Sequence, residues 1–153
     1  MSTLLVAGTA TENIHPPKHP GDVGYDLACK HDVMIRANGF YDLHTGVRVG
    51  FPVGIWGMIV ARSSTWRRLG LEVIMGIIDT GYHGELLIGV RNPGAAAVFV
   101  TKGTRLAQLI PMVAAGPWMN GKPFSLVNVT EEELEAHTTS SRGTDGFGST
   151  GGA

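Results

Sequence analysis

L-E-V-I-M-G-I-I-D-T-G-Y-H-G-E-L-L-I-G-V-R-N, Leu71 to Asn92, is the stretch from which the rest of the chain is read. Two apolar, β-branched runs, Val73 to Ile78 and Leu86 to Val90, flank a tip of Asp79, Thr80, Gly81, Tyr82, His83 and Gly84. Runs of that composition on either side of turn-forming residues predict a β-hairpin. The tip opens with an acid directly after Ile77 and Ile78. A carboxylate held against apolar walls is costly to ionise unless something polar faces it, which makes a buried Asp79 a candidate general base. Asp-Thr-Gly at a strand end is equally plain turn chemistry, and the stretch alone leaves both readings open.

Outward from the hairpin the same texture continues. Short β-prone runs cut by Gly, Pro, Asn or Asp occur at Thr3 to Val6, Tyr25 to Ala28, Val33 to Ile35, Phe40 to Val49, Gly54 to Ala61, Ala96 to Val100, Leu106 to Pro111 and Phe124 to Val129. With 22 glycines in 153 residues, this predicts a sandwich or barrel, best an all-β antiparallel fold such as a jelly roll. A helical turn from Ser63 or Ser64 through Leu69, and a capping box at Thr130 and Glu133, are too short to organise the fold. The length suits one domain, a core at 1–136. From His137 onward H-T-T-S-S-R-G-T-D-G-F-G-S-T-G-G-A has no apolar period, and 137–153 is expected to be a mobile Gly/Ser-rich arm. Such a tail is compatible with plain disorder. Yet Arg142 and Phe147, with Ser149 and Thr150 beside them, also suit a strap over a phosphorylated base.

Twelve basic and 13 acidic residues give a net charge of −1, so no global field draws the chain to nucleic acid or an anionic membrane. No direct nucleic-acid binding is expected, and an anionic ligand must be gripped locally. The single cysteine, Cys29, excludes an internal disulfide and a multi-cysteine zinc site, and fits a reducing, cytoplasmic setting. The stretch Met1 to Asn13 has no basic region and only a brief apolar run, unlike a signal peptide. Phe51 to Ala61, interrupted by Pro52, Gly54 and Gly57, is about half the length of a membrane span, so a soluble protein is expected.

Five local motifs line up in order: V-G-Y-D-L at Val23 to Leu27, A-R-S-S at Ala61 to Ser64, G-I-I-D-T-G-Y-H-G-E at Gly76 to Glu85, G-T-R-L-A-Q-L at Gly103 to Leu109, and R-G-T-D-G-F-G-S-T-G at Arg142 to Gly151. Together they resemble the trimeric deoxyuridine triphosphatase (dUTPase) family over nearly the whole chain, which implies an all-β distorted jelly roll, or β-clip barrel. The resemblance implies hydrolysis of dUTP to dUMP and pyrophosphate, which limits uracil in DNA and supplies dUMP for thymidylate synthesis. It implies Asp79 as the base that activates a water for attack on the α-phosphate, with Arg62 and Ser63 meeting the charge that develops there. Tyr82 matches a ring that lies against the deoxyribose, where a ribose hydroxyl would collide; alone, it reads as a cross-strand aromatic. Uracil would be read by main-chain groups of Gly76, Ile77 and Ile78, and cytosine rejected because it presents the opposite pattern of donors and acceptors.

Arg62, Ser63 and Ser64 match the family's phosphate-binding turn, against the plainer reading of a helix cap beside a surface arginine. Gln108 matches a polar phosphate contact, or is a solvent-facing strand residue; Arg105 reads as structural. Asp26 matches an acid near the water shell of a magnesium ion held mainly by the phosphates, or is a turn-capping Asp. The resemblance gives Phe147, with Gly148 beside it, to uracil stacking, and Arg142, Ser149 and Thr150 to the γ-phosphate. It also implies a homotrimer in which the arm closes a neighbouring subunit's site. Two positions depart from many relatives: Val73 replaces an asparagine and Asp145 a glycine.

A dCTP deaminase on the same fold is the nearest rival. R-S-S-T-W-R-R-L-G-L resembles its signature, with Arg67 near the catalytic arginine, but Gly89 stands where that family has its catalytic glutamate and Tyr82 where it has Trp. A regulatory binding protein on the fold is the third reading. Trp118, in P-W-M-N-G-K-P, would then be a partner site; otherwise it packs on the sheet beside a turn.

Overall fold

In the computed structural model, residues 4–8, 11–113, 130 and 132 are described. The chain divides into two units, Met1–Lys122 and Pro123–Ala153, and all the strands below lie in the first. The expected strand at 124–129, the Trp118 loop, the Glu133 capping box and the arm at 137–153 fall outside the described residues.

The elements are β1 (Leu5–Gly8), β2 (Ile14–His15), β3 (Tyr25–Ala28), β4 (Val33–Ile35), β5 (Phe40–Gly50), β6 (Ile55–Ala61), α1 (Ser63–Leu69), β7 (Glu72–Val73), β8 (Gly76–Ile78), β9 (Glu85–Arg91), β10 (Val98–Val100) and β11 (Arg105–Val113). Every strand pairing among the described residues is antiparallel. One sheet runs β1-β5-β9-β7, a second β2-β3-β11-β6-β8, and β10 pairs with β4. The period-two pattern explains the layering: Leu43, Val47 and Val49 from β5 and Leu86, Ile88 and Val90 from β9 turn inward. They join Leu27, Ile59, Leu106 and Leu109 from the second sheet in one core. Polar groups inside that core are partnered. Asn92 donates from Nδ2 to the Ile35 and Ala96 carbonyls, and its Oδ1 accepts the Gly94 N–H. Cys29 is buried there too, its thiol donating to the Thr101 carbonyl at 3.0 Å; burial pushes the thiol pKa up, so it behaves as a small core residue.

The organising stretch is not one hairpin. Glu72 and Val73 pair with Arg91 and Val90 of β9, and the Ile74 N–H still reaches the Gly89 carbonyl at 2.8 Å. The chain then leaves that sheet, and Gly76–Ile78 pairs with Ile59–Gly57 of β6 in the other. The stretch therefore stitches the two sheets together. Composition could not show this, because Val73 to Ile78 reads as one continuous apolar run, and Ile74 and Met75, which lie between β7 and β8, look like more strand.

Candidate functional site

The sheet crossing puts Asp79 at the end of β8, the outermost strand of its sheet, so one edge of β8 faces no strand among the described residues. A tight turn follows, closed by Tyr82 N–H donating to the Asp79 carbonyl at 3.0 Å and fastened to β6 by Thr80 Oγ1 on the Ile55 carbonyl at 2.7 Å. Asp79, Tyr82, Ile77, Ile78, Glu85 and Leu87 line a cleft of about 260 Å³. The expected buried acid is not found in the single chain, where Asp79 is exposed. Its apolar neighbour Ile77 is itself 54% exposed, on a strand that has no neighbour beyond it among the described residues. Val73 is half-buried and packs on the core from the opposite sheet, which places it off β8 altogether.

Tyr82 is tied down at both ends. Its hydroxyl donates to the Glu85 carbonyl at 2.9 Å, and its ring passes over Gly84, where a Cβ would come within 2.3 Å of the phenolic oxygen. Glu85 is in turn anchored to β5. Its Oε1 accepts the Gly46 N–H at 2.7 Å, and Oε2 meets His44 Nδ1 at 3.0 Å. Desolvation alone would raise the Glu85 carboxyl, but the His44 hydrogen bond, the Gly46 N–H and the charges of His44 and Lys30 outweigh it and hold the pKa below the ordinary value. Sequence reading missed Glu85 and His44, which are 41 residues apart and meet only across the β5–β9 ladder.

A second, more polar cleft of about 470 Å³ lies over β3 and β11. Asp26, Arg62, Arg105 and Gln108 line it, with Lys18 and His19 from the segment before β3. In register, His15, Asp26, Gln108 and Val60 form one row across four strands. Asp26 is engaged on both oxygens, Oδ1 by Arg62 Nε at 2.7 Å and Oδ2 by Arg105 Nη1 at 3.3 Å. Arg62 also donates to the Arg105 carbonyl at 3.3 Å, so its guanidinium is fixed by two partners. Gln108 donates to the Ala61 carbonyl at 3.1 Å, and Gly24 gives it room, since a Cβ there would meet Gln108 Oε1 at 2.1 Å.

Arg62, not a serine, occupies the N-cap of α1, and no side chain caps the helix, which corrects the expected serine cap. Ser63 and Ser64 open the helix beside Arg62, Ser63 exposed and Ser64 half-buried. Thr65, buried, hangs the helix on β11 through the Leu106 carbonyl. Arg142, Phe147, Gly148, Ser149 and Thr150 lie outside the described residues. Gly89, where a deaminase would need its glutamate, faces a different cleft with Phe40, Tyr41, Asp42 and Ile74; a Cβ there would sit 3.3 Å from Ile74 Cβ. Among the described residues, no group of three or more His, Cys, Asp or Glu is placed to hold a metal, and no helix is long and apolar enough to cross a membrane.

Fold and clefts together define an antiparallel β protein with an acid and an aromatic ring at a strand edge and a separate arginine-bearing pocket, the features of a site for an anionic, ring-bearing ligand. A family model described as dUTPase matches residues 11–151. The deoxyuridine 5'-triphosphate nucleotidohydrolase of Paramecium bursaria Chlorella virus 1 is 34% identical over 152 residues, covering 99% of this chain and 99% of that protein. Among solved structures, the Staphylococcus bacteriophage 80alpha dUTPase with dUPNHPP superposes with a TM-score of 0.76 at 25% identity, over 97% of this chain and 98% of that one. A mutant dUTPase from phage phi11 of S. aureus, described with a coordinated structural Mg(II) ion, gives 0.69 at 26% identity, over 86% and 99%. The chain belongs to the dUTPase family. It has the family's jelly-roll fold, and its reaction is the hydrolysis of dUTP; the deaminase alternative is not favoured.

Proposed function

We propose that Asp79 is the general base of this hydrolysis and that the cleft it shares with Tyr82 receives the deoxyuridine. The observation that carries the reading is the coincidence, at one edge, of a carboxylate, an aromatic face and a side of β8 that faces no strand among the described residues. That side of β8 offers a donor and an acceptor from Gly76, Ile77 and Ile78 to the uracil edge. Cytosine would leave them unpaired, at about 1–3 kcal/mol for each group. Tyr82 stands against the sugar. Asp79 takes a proton from a water that attacks the α-phosphorus in line; the bond from that phosphorus to the bridging oxygen breaks and pyrophosphate leaves.

Arg62, Ser63, Ser64 and Gln108 receive the phosphates, Ser63 at the α–β bridging oxygen and Ser64 through its N–H. Arg142, Ser149 and Thr150 of the arm take the γ-phosphate and Phe147, beside Gly148, stacks on the base. The two described clefts share no lining residue, which supports assigning them to different chains of a homotrimer, with the arm from a third. When bound, magnesium neutralises charge across the triphosphate. Asp26, paired on each oxygen with an arginine, would stand near the water shell of an ion held mainly by the phosphates. The single free cysteine is consistent with work in a reducing cytoplasm.

Product analysis with magnesium and, separately, dUTP, dCTP, dTTP and UTP tests the reading. Only dUTP should yield pyrophosphate and dUMP, and Asp79→Asn should lose about 10²- to 10⁴-fold in kcat with the fold intact. Wild-type turnover by Asp79→Asn would remove Asp79 from the chemistry.

A further inference from the structure

We propose that the His44–Glu85 pair is a positioning device that holds Tyr82 in place and thereby sets the discrimination against ribonucleotides. The inference rests on the reading of Tyr82 as the wall of the sugar pocket.

The pair caps a defect in the sheet. His44 lies opposite Leu87 and Arg48 opposite Glu85, so the same step takes four residues along β5 and two along β9. The surplus bulges at Thr45 to Val47, with Gly46 at φ +72°. From inside, the bulge is held by Thr45 Oγ1 donating to the Leu86 carbonyl at 2.7 Å and accepting the Val47 N–H, and by Asn13 Nδ2 on the Thr45 carbonyl. From outside, it is held by Glu85. One carboxylate oxygen takes the buried Gly46 N–H and the other meets His44.

Residue 85 thus faces two ways. Its side chain is locked to the β5 bulge, while its main-chain carbonyl holds the Tyr82 hydroxyl. The intervening Gly84 is the surface on which the ring lies. Arg48 adds a second tie from β5 to the same turn, donating from Nε to the His83 carbonyl. Tyr82 is 43% exposed, so these ties, and not core packing, fix where the ring stands. Exclusion of a single hydroxyl requires that wall to be rigid. Freeing residue 85 lets Tyr82 give way, and a ribose then fits at lower cost.

The test is steady-state kinetics with dUTP and UTP on Glu85→Ala, Glu85→Gln, His44→Ala, Tyr82→Ala, Tyr82→Phe and the Glu85→Ala/Tyr82→Phe double variant. Glu85→Ala should raise KM for dUTP about three- to tenfold, more than it lowers kcat, and raise the UTP-to-dUTP ratio of kcat/KM by a similar factor. Glu85→Gln should recover most of both, because its amide oxygen still accepts the Gly46 N–H and its NH2 can donate to His44. The double variant should be little worse than Glu85→Ala, showing that the carboxylate acts through the ring hydroxyl. His44 is exposed, so His44→Ala carries the same ratio test should Glu85→Ala fail to fold. An altered ratio in Tyr82→Ala with an unchanged ratio in Glu85→Ala, or in His44→Ala if that is the variant that folds, overturns the positioning role alone. An unchanged ratio in Tyr82→Ala overturns the sugar-wall reading and this inference with it.

Discussion

Gly84 shows how much one missing side chain decides at the residue scale. A methyl group there would lie 2.3 Å from the Tyr82 oxygen and 2.5 Å from Cζ. The obstacle is the far end of a side chain, so the ring moves and the backbone stays. Gly84→Ala is therefore expected to leave the melting temperature nearly unchanged while raising KM for dUTP several-fold, read by thermal unfolding and kinetics on the same preparation. Glu85 makes a pH prediction. Its folded pKa lies below the ordinary 4.5, so its stabilisation is fully present above that value and is lost as pH falls through the lower, folded one. Urea midpoints of wild type and Glu85→Gln should differ at neutral pH and converge in acid, as pH falls through the lowered folded pKa. A gap that persists at acid pH would show that the carboxylate charge is not what stabilises the bulge. At this scale the sequence singled out Asp79 and Arg62 by their own chemistry, and each lines a cleft. It was blind to Glu85 and His44, whose role exists only because a bulge brings them together.

Helix α1 and strand β8 carry the lesson at the scale of elements. The seven-residue helix ends at Gly70, in the left-handed conformation at φ +62°, with its N–H returning to the Trp66 carbonyl at 2.8 Å. No atom lies within 4 Å of a Cβ built there, so Gly70→Ala isolates the conformational cost. A loss of about 1 kcal/mol is expected from chemical denaturation, with phosphate binding preserved because Arg62 at the other end is held by Asp26 and β11. Strands with a clear apolar pattern were legible in place: Tyr25–Ala28 and Val33–Ile35 fall where composition put them. Ile14–His15 was missed, because two residues are too few for a period to register. The hairpin was misread for a different reason. Alternation marks residues as strand without saying which sheet they join, and the apolar run from Val73 to Ile78 gives no sign that β7 and β8 pair in different sheets.

At the scale of the whole molecule, the separation of the two clefts makes a prediction about assembly. Asp79→Asn and Arg62→Ala chains, each inactive as a pure preparation, should regain activity when unfolded together and refolded in equal amounts. If a site takes Asp79 from one chain and Arg62 from another, about a quarter of the sites in random trimers receive both intact residues. Recovery near that fraction supports a shared site, and no recovery with mixed trimers present would assign both residues to one chain. Here the division between sequence and structure is sharpest. The order and spacing of local motifs were enough to determine the fold class and the family, because each motif needs particular side chains at fixed short intervals. Where the site's residues stand was decided only by the tertiary structure: Asp79 exposed at a sheet edge, Val73 in the opposite sheet, and Glu85, which holds Tyr82, tied to Gly46 of the bulge 39 residues earlier in the chain. Long-range pairing and register set those positions, and neither leaves a trace in the local pattern.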